Sequence, residues 1–490
     1  MLCRALTLKG DRAVASTSLD LSRVRSIHLM GVGGAGMSGL ALLYKALGFQ
    51  VTGCDMGNSC YTTKVREAGV PVYLGHDPHH LDDHKADILA YSSAIPSDNP
   101  ELVTARERGI PVVQRAELLS LLFNSRCGVG VAGTHGKTTT TSMISLIAER
   151  AGLEPTVAIG GELCDIGCNA KLGNGNVMVA ELDESDGSFQ FFQPSVAVVT
   201  NVDWDHVNYY PSRQSVVDAF VSFLANVPSD GFEVLCGDDP GVRALLGRLE
   251  GQNCQNRVTY GLEKGNDFYP TNLEQYPGGG MSYTLNRFGR QVGRVRLTVS
   301  GTHNLLNSLA ALAAGSRLGI SFDLMVSALN EFHGVKRRLQ QKGNAGDDIL
   351  VYDDYGHHPN ELKATLTALG QMFPKRRLVV VFQPHRYTRT AALYEQFAQV
   401  LSQADQVILL PIYAADEQQI PGVSSSLIQD KIHERHPGLC HLVRDKVDAE
   451  ACVMSVLQPG DLLLTAGAGD VCVIGDLILQ NLKAPCSATA

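Results

Sequence analysis

Gly133 to Thr141 reads G-T-H-G-K-T-T-T-T, a run suited to holding a triphosphate. The apolar stretch Cys127 to Ala132 predicts a strand entering this turn, and Ser142 to Glu149 predicts a helix leaving it. Strand, glycine turn and helix start together aim backbone N–H groups and a helix dipole at an anion. Gly133, Thr134, His135, Gly136 and Thr139 would line that anion. Lys137 would reach the β- and γ-phosphates, and Thr138 would bind Mg²⁺. The stricter phosphate-loop pattern has a glycine where this chain has Val131, so the loop is a shortened relative.

Two further groups carry charge chemistry. Glu181 to Phe189 reads E-L-D-E-S-D-G-S-F after a strand expected over Val177 to Ala180. Carboxylates at a strand's C-terminal end beside a phosphate loop are suited to Mg²⁺; Glu181 and Glu184 are alternatives for the direct ligand. Thr200 to His206 reads T-N-V-D-W-D-H and follows another expected strand, Val196 to Thr200, so His206 falls at the same sheet edge. Arg386 and Arg389 follow the strand expected over Leu378 to Phe382, and paired guanidinium forks suit a small carboxylate.

Nearer the start, G-V-G-G-A-G-M-S-G at Gly31 to Gly39 follows the apolar run Ser26 to Met30. Asp55 lies about twenty positions further on, which completes a dinucleotide-type fingerprint. The loop suits a diphosphate, and Asp55 suits a ribose hydroxyl or a base. A diphosphate occurs in NAD and in UDP-sugars alike, and the loop alone does not choose between them.

These groups need a large scaffold. At 490 residues, 44% of them apolar, the chain predicts about three soluble domains. Strand and helix patterns alternate through most of its length, which predicts doubly wound parallel sheets. Tyr269 to Val299 instead alternates polar and apolar residues between glycines, as antiparallel hairpins do. The expected layout is α/β in three domains: a Rossmann-like unit over 1–125, a phosphate-loop unit over 126–328 and a second Rossmann-like unit over 329–490.

Several functional classes are disfavoured. No apolar run is long enough to span a bilayer, and the first residues lack a signal-peptide core, so a cytoplasmic protein without membrane insertion is expected. A net charge of −9 argues against nucleic acid as partner. The 12 cysteines are scattered; the closest pairs, Cys54 with Cys60 and Cys164 with Cys168, match no usual zinc spacing. His76, His79, His80 and His84 sit among aspartates and a proline, and read as a solvated loop.

The motifs, taken in order, resemble the Mur ligases: G-V-G-G-A-G-M-S-G, A-G-T-H-G-K-T-T-T, E-L-D-E-S-D-G-S-F, T-N-V-D-W-D-H, H-N-L-L-N-S-L-A-A, D-D-Y-G-H-H-P and F-Q-P-H-R-Y-T-R-T. They run from Gly31 to Thr390, with a weaker T-A-G-A-G-D near the end. The resemblance implies an ATP- and Mg²⁺-dependent ligase that joins L-alanine to UDP-N-acetylmuramate; a homodimer is compatible with it. It places Gly31, Gly33, Gly34, Gly36, Asp55, Ser92 and Arg338 on the UDP-substrate. It places His303, Asn304, Asn307 and Arg337 with the phosphate loop on ATP, and Thr138, Glu181 and His206 on metal. Tyr355, His357, Arg386 and Arg389 would hold the amino acid. Lys137, His206 and His357 would be catalytic, His357 as acceptor of the amine proton. An NAD oxidoreductase would leave Lys137 and the arginine pair without a use, and a nucleotide switch would not need the third domain.

Overall fold

A computed structural model describes residues 19, 21–82, 85–92, 94–160, 169–206, 209–250, 256–346, 348–415 and 417–483. His84, Cys164 and Cys168 lie outside the described residues.

The first sheet is fully parallel. Its strands lie in the spatial order Val72–Leu74, Gln50–Asp55, Ser26–Met30, Ile88–Tyr91 and Val112–Gln114. The chain reverses direction across this sheet between Ser26–Met30 and Ile88–Tyr91, and such a switch point opens a crevice at the strands' C-terminal ends. Gly31 and Ser92 are the residues that enter it.

The second sheet has ten strands. Cys127–Ala132 lies inside it, flanked by Val196–Val199 on one side and Val177–Glu181 on the other, all parallel. The loops that leave these three strands therefore meet at one edge. Phe268–Gln275, Met281–Arg287 and Arg290–Leu297 extend the sheet as the expected antiparallel hairpins.

The helix after the phosphate loop starts earlier than its sequence predicts, at Lys137, and runs to Arg150. A run of β-branched threonines is a weak helix signal. Here the hydroxyls of Thr141, Ser142 and Ser145 donate back to the carbonyls of Lys137, Thr138 and Thr141. That internal pairing allows the polar run to be buried between the sheet and the helix Thr302–Arg317. Gly315 keeps the two helices close: a Cβ there would lie 3.3 Å from Ile147 and 2.6 Å from Met325.

The third sheet orders its six strands as Gln340–Ala345, Ile349–Asp354, Leu462–Ala466, Leu378–Phe382, Gln406–Leu409 and Cys440–Leu442. Only the first is antiparallel to its neighbour. Two apolar clusters, one on each face, form its own core. The first and second sheets instead share one continuous cluster, in which Phe123 meets Phe192 edge to face at 5.3 Å. The contacts between the second and third domains described below are largely polar. Polar, modest interfaces permit domains to move relative to each other.

Candidate active site

The phosphate-loop edge gathers opposite charges. Gly136 caps the helix with φ +79°, and a Cβ there would lie 2.7 Å from Asn307 Oδ1, so glycine is required twice over. Lys137 Nζ donates to Gly133 O at 2.6 Å, Thr134 O at 3.2 Å and Glu184 Oε2 at 2.7 Å. Burial opposes its charge, but Glu184, Asp183 and Glu181 outweigh that and raise its pKa. Thr138 Oγ1 donates to Glu181 Oε1 at 3.0 Å. Glu184 is buried, and its Oε1 has no hydrogen-bond partner among the described residues; His206 Nε2 stands 3.5 Å from it. An unpartnered buried carboxylate oxygen costs about 1–3 kcal/mol, which a cation would offset.

A cavity of about 120 Å³ opens beside the loop. His135, Gly136, Thr138 and Thr139 form one wall, and His303, Asn304 and Asn307 another. Their amides are chained together: Thr140 Oγ1 donates to Asn307 Oδ1, Asn307 Nδ2 to Asn304 Oδ1 and Asn304 Nδ2 to Ser300 O. Burial and the charge of Arg338 push His303 down to about 4, so it faces the cavity neutral. The third domain closes the far side with Arg338, Asp354 and Glu361. Burial pushes the Asp354 carboxyl up to about 6.

The two arginines at the domain junction are placed differently. Arg338, expected on the UDP-substrate, lines this cavity 3.6 Å from Glu361. Arg337, expected on ATP, lines neither cavity described here; it donates to Asp353 at 3.2 Å and to Gly467 O at 2.6 Å. Both stack on Tyr355, with guanidinium carbons 5.0 and 5.2 Å from the ring centre. Tyr355 thus supports the arginines and lines neither cavity.

A larger cavity, about 570 Å³, lies between the second and third domains. Asp203, Asp205 and His206 face His358, Arg386 and Arg389 across it. Arg389 is buried and donates to both oxygens of Asp205 at 3.2 Å, and to His385 Nδ1 at 3.1 Å. Burial works against the Asp205 charge, yet Arg389 and His206 hold it well below the usual carboxylate range. Arg386 is differently placed: its Nε has no hydrogen-bond partner among the described residues. Its backbone sits at φ +69°, and that of His206 at φ +53°. Strained backbone of this kind costs about 1–3 kcal/mol and collects at functional sites.

Two adjacent histidines differ in tautomer. His357 Nδ1 lies 3.1 Å from Tyr355 O, an acceptor, so the proton sits there and Nε2 is bare. His357 lines neither cavity, and burial keeps it well below the usual imidazole range. His358 Nδ1 accepts from Asn360 N–H at 3.3 Å, which puts the neutral ring's proton on Nε2. That Nε2 is buried without a partner among the described residues, and His358 lines the larger cavity.

The first glycine loop lies apart from both cavities. Gly34 caps the helix Ala35–Ala46 without a side-chain bond. Asp55 Oδ2 accepts from Gly33 N–H at 2.7 Å, so Asp55 braces the loop itself. Ser92 packs against Gly31, where a Cβ would come within 3.2 Å of it. Arg115 was not singled out by any motif, yet its guanidinium lies against Gly36, about 3.1 Å from a Cβ built there. Its position at the start of the helix Arg115–Asn124, after the strand Val112–Gln114, is the only signal it gave.

The interface between second and third domains should respond to pH. His135 lies 3.2 Å from Glu361 and 3.8 Å from Asp203. Burial disfavours its charged form, but Asp203 and Glu361 prevail and hold its proton to about 9. The folded pKa lies above the ordinary value of 6.5, so this contribution is complete below about 6.5 and is lost as pH rises through about 9. The melting temperature should fall over that window more steeply for the wild type than for His135→Gln; parallel slopes would refute the assignment.

Comparison with known proteins matches three family signatures along the chain. "Mur ligase family, catalytic domain" covers residues 26–126, "Mur ligase middle domain" 131–315 and "Mur ligase, glutamate ligase domain" 337–469. A UDP-N-acetylmuramate–L-alanine ligase of Dictyoglomus turgidum is 45% identical over 93% of this chain and 97% of its own length. The protein of the same name from Solidesulfovibrio magneticus is 43% identical over 94% and 99%. The solved UDP-N-acetylmuramate–alanine ligase of Thermotoga maritima superposes with a TM-score of 0.78 at 29% identity, over 93% of this chain and 98% of that one. The three signatures span most of the chain and the relatives match it over nearly its whole length, so the chain belongs to the Mur ligase family.

Proposed function

We propose that the chain joins L-alanine to UDP-N-acetylmuramate, driven by cleavage of ATP to ADP and phosphate, in the synthesis of peptidoglycan precursors. The observation that carries this is the larger cavity. It places His206, which stands beside the phosphate-loop domain's acid Glu184, opposite Arg386 of a separate domain. A nucleotide switch has no use for such a facing pair. The full-length match to relatives named as alanine ligases supports the choice of substrates. ATP and UDP-sugars are cytoplasmic metabolites, and no helix among the described residues is long and apolar enough to cross a membrane.

The steps follow from the groups present. The lactyl carboxylate attacks the γ-phosphate, and the resulting acyl phosphate reacts with the amine of L-alanine through a tetrahedral oxyanion. Lys137 leaves Glu184 for the phosphates and follows the charge as it moves. His303, Asn304 and Asn307 read the adenine edge from the smaller cavity, with Arg338 nearby. Thr138 and Glu181 would hold one Mg²⁺, and His206 with the Glu184 oxygen that lacks a partner among the described residues would suit a second. When bound, Mg²⁺ offsets phosphoryl charge and orients the reacting oxygens. His358 Nε2–H donates to an oxygen in the larger cavity. His357, the ring with a bare Nε2, lies outside both cavities and would take the amine proton only once the domains close on the substrates. Arg386 holds the alanine carboxylate while Arg389 clamps Asp205 and keeps the domains together. Exclusion of water protects the acyl phosphate. Gly31, Gly33, Gly34 and Gly36 cradle the UDP diphosphate, with Ser92 and Arg115 beside them.

ADP release, measured with UDP-N-acetylmuramate and a panel of amino acids, tests the reaction: it should require all three substrates and favour L-alanine. Thermal melting tests the first loop separately. UDP-N-acetylmuramate should raise the melting temperature, and NAD or NADP at equal concentration should not. A shift with NAD alone would overturn the proposal.

A further inference from the structure

Beneath the first glycine loop, four side chains from four elements converge that neither cavity uses. They are His28 in the strand Ser26–Met30, Cys54 in Gln50–Asp55, His80 in the turn Pro78–Leu81, and Glu101 in the helix Pro100–Glu107. One ligand atom from each lies within 4.8 Å of all the others. The expected solvated histidine loop is thus corrected in part: His79 is exposed, but His80 and His76 turn inward, their side chains only 13% and 12% exposed, and His76 Nδ1 flanks the group 3.3 Å from Cys54 Sγ. His28, Cys54 and Glu101 are fully buried. Local spacing hides the group, because its members are drawn together only by the sheet and by the helix packed beside it.

The set has the chemistry of a zinc site. His28 Nε2 lies 3.2 Å from Glu101 Oε2, Cys54 Sγ 3.3 Å from the same oxygen, and His80 Nδ1 2.7 Å from Glu101 Oε1. Ligands around tetrahedral zinc stand roughly 3.3–3.8 Å apart, given Zn–N and Zn–S distances of about 2.0 and 2.3 Å. The contacts to Glu101 are at or below that spacing, through its two oxygens, and the remaining pairs lie within 4.8 Å, so side-chain adjustment would bring the four atoms around one ion. Zinc with one thiolate, one carboxylate and two neutral imidazoles is electrically neutral, which a buried site requires. Outer partners that orient metal ligands are already in place. Thr52 Oγ1 lies 2.8 Å from His28 Nδ1, Asp77 N–H donates to Glu101 Oε1 at 2.7 Å, and Tyr73 stacks on His80 at 4.4 Å. Thiolate and imidazole ligands favour zinc over magnesium.

We propose that His28, Cys54, His80 and Glu101 form a structural zinc site that pins the first glycine loop to its sheet. The mechanical link is the Cys54 carbonyl, which accepts from Gly31 N–H at 2.8 Å and Val32 N–H at 3.2 Å. Binding replaces the Cys54 S–H bond with an S–Zn bond and releases that proton to solvent. The proposal does not depend on the ligase reaction, because binding is read without substrates.

The test uses the full-length protein, stripped with a chelator and titrated with Co²⁺, then Zn²⁺. One Co²⁺ per chain should produce a thiolate-to-cobalt charge-transfer band that Zn²⁺ abolishes. Cys54→Ser should eliminate the band, while Cys60→Ser, which changes an exposed thiol of the same domain, should retain it. Loss of an outer partner costs metal affinity about 10–100-fold, so loss of the Cys54 ligand should cost at least about a hundredfold. Zn²⁺ should raise the melting temperature of the wild type and not of Cys54→Ser. Should Cys54→Ser fail to fold, His80→Ala, at the partly exposed edge, should weaken Co²⁺ binding and alter its spectrum. Absence of a thiolate band in the wild type at excess Co²⁺, or a band unchanged in Cys54→Ser or His80→Ala, would overturn the site and leave a hydrogen-bonded core.

Discussion

Lys137→Ala is expected to lower turnover by at least about a thousandfold, because phosphoryl transfer without its compensating charge loses several kcal/mol of stabilisation. The side chain stands at the mouth of the loop that wraps an anion. Its present partners, Glu184 and the carbonyls of Gly133 and Thr134, are groups that can release it to a phosphate. The effect should fall mainly on kcat, since the charge on the phosphoryl group is greatest during transfer. Removing Lys137 also leaves Glu184 buried with one fewer partner, so some loss of stability accompanies the change. Glu184→Gln in the same background separates the two effects: it should restore the melting temperature and not the turnover. Near-normal ATP-dependent turnover in Lys137→Ala would remove the lysine from the mechanism.

The parts of this fold legible in the sequence are those fixed by short-range patterning. The strands Ser26–Met30, Ile88–Tyr91, Cys127–Ala132 and Leu378–Phe382 stand at their expected positions because each is a brief apolar run closed by a glycine or polar turn. The three α/β units and the antiparallel hairpins of the second follow from the same patterning. Helix starts were less legible. The helices beginning at Ala35, Lys137 and Thr302 open on glycine, threonine or histidine runs of weak propensity, and phosphate-loop geometry or burial decides their first turns. The relations between loops were not legible at all. Arg389 meets Asp205 across 184 positions, and Asn360 meets Asp203 across 157. Neither pairing leaves a periodic trace. For the same reason the sequence suggests two equivalent arginines, whereas the folded chain spends one on an ion pair and leaves the other facing the cavity.

That asymmetry makes the amino-acid site testable. Arg386→Lys should raise the KM for L-alanine by roughly tenfold or more, because a charge-assisted bidentate contact contributes about 1.5–3 kcal/mol and an ammonium cannot reproduce the fork. Arg386→Ala should raise it further, on the order of a hundredfold, at little cost in melting temperature. The Arg386 Nε has no partner among the described residues, so truncation removes a buried, unpaired donor, while Glu417, whose charge Arg386 favours, keeps its bonds from Thr388. The KM for ATP should change much less, since Arg386 does not line the smaller cavity. Arg389→Lys should behave differently. Arg389 is buried against Asp205, so weakening that bidentate pair should lower stability and impair ATP and alanine kinetics together. The comparison of the two variants is decisive because both arginines border one cavity and carry the same charge. If Arg386→Lys left the alanine KM unchanged while Arg389→Lys raised it selectively, the carboxylate would belong on Arg389, and Asp205 would be a stand-in for it that the substrate displaces.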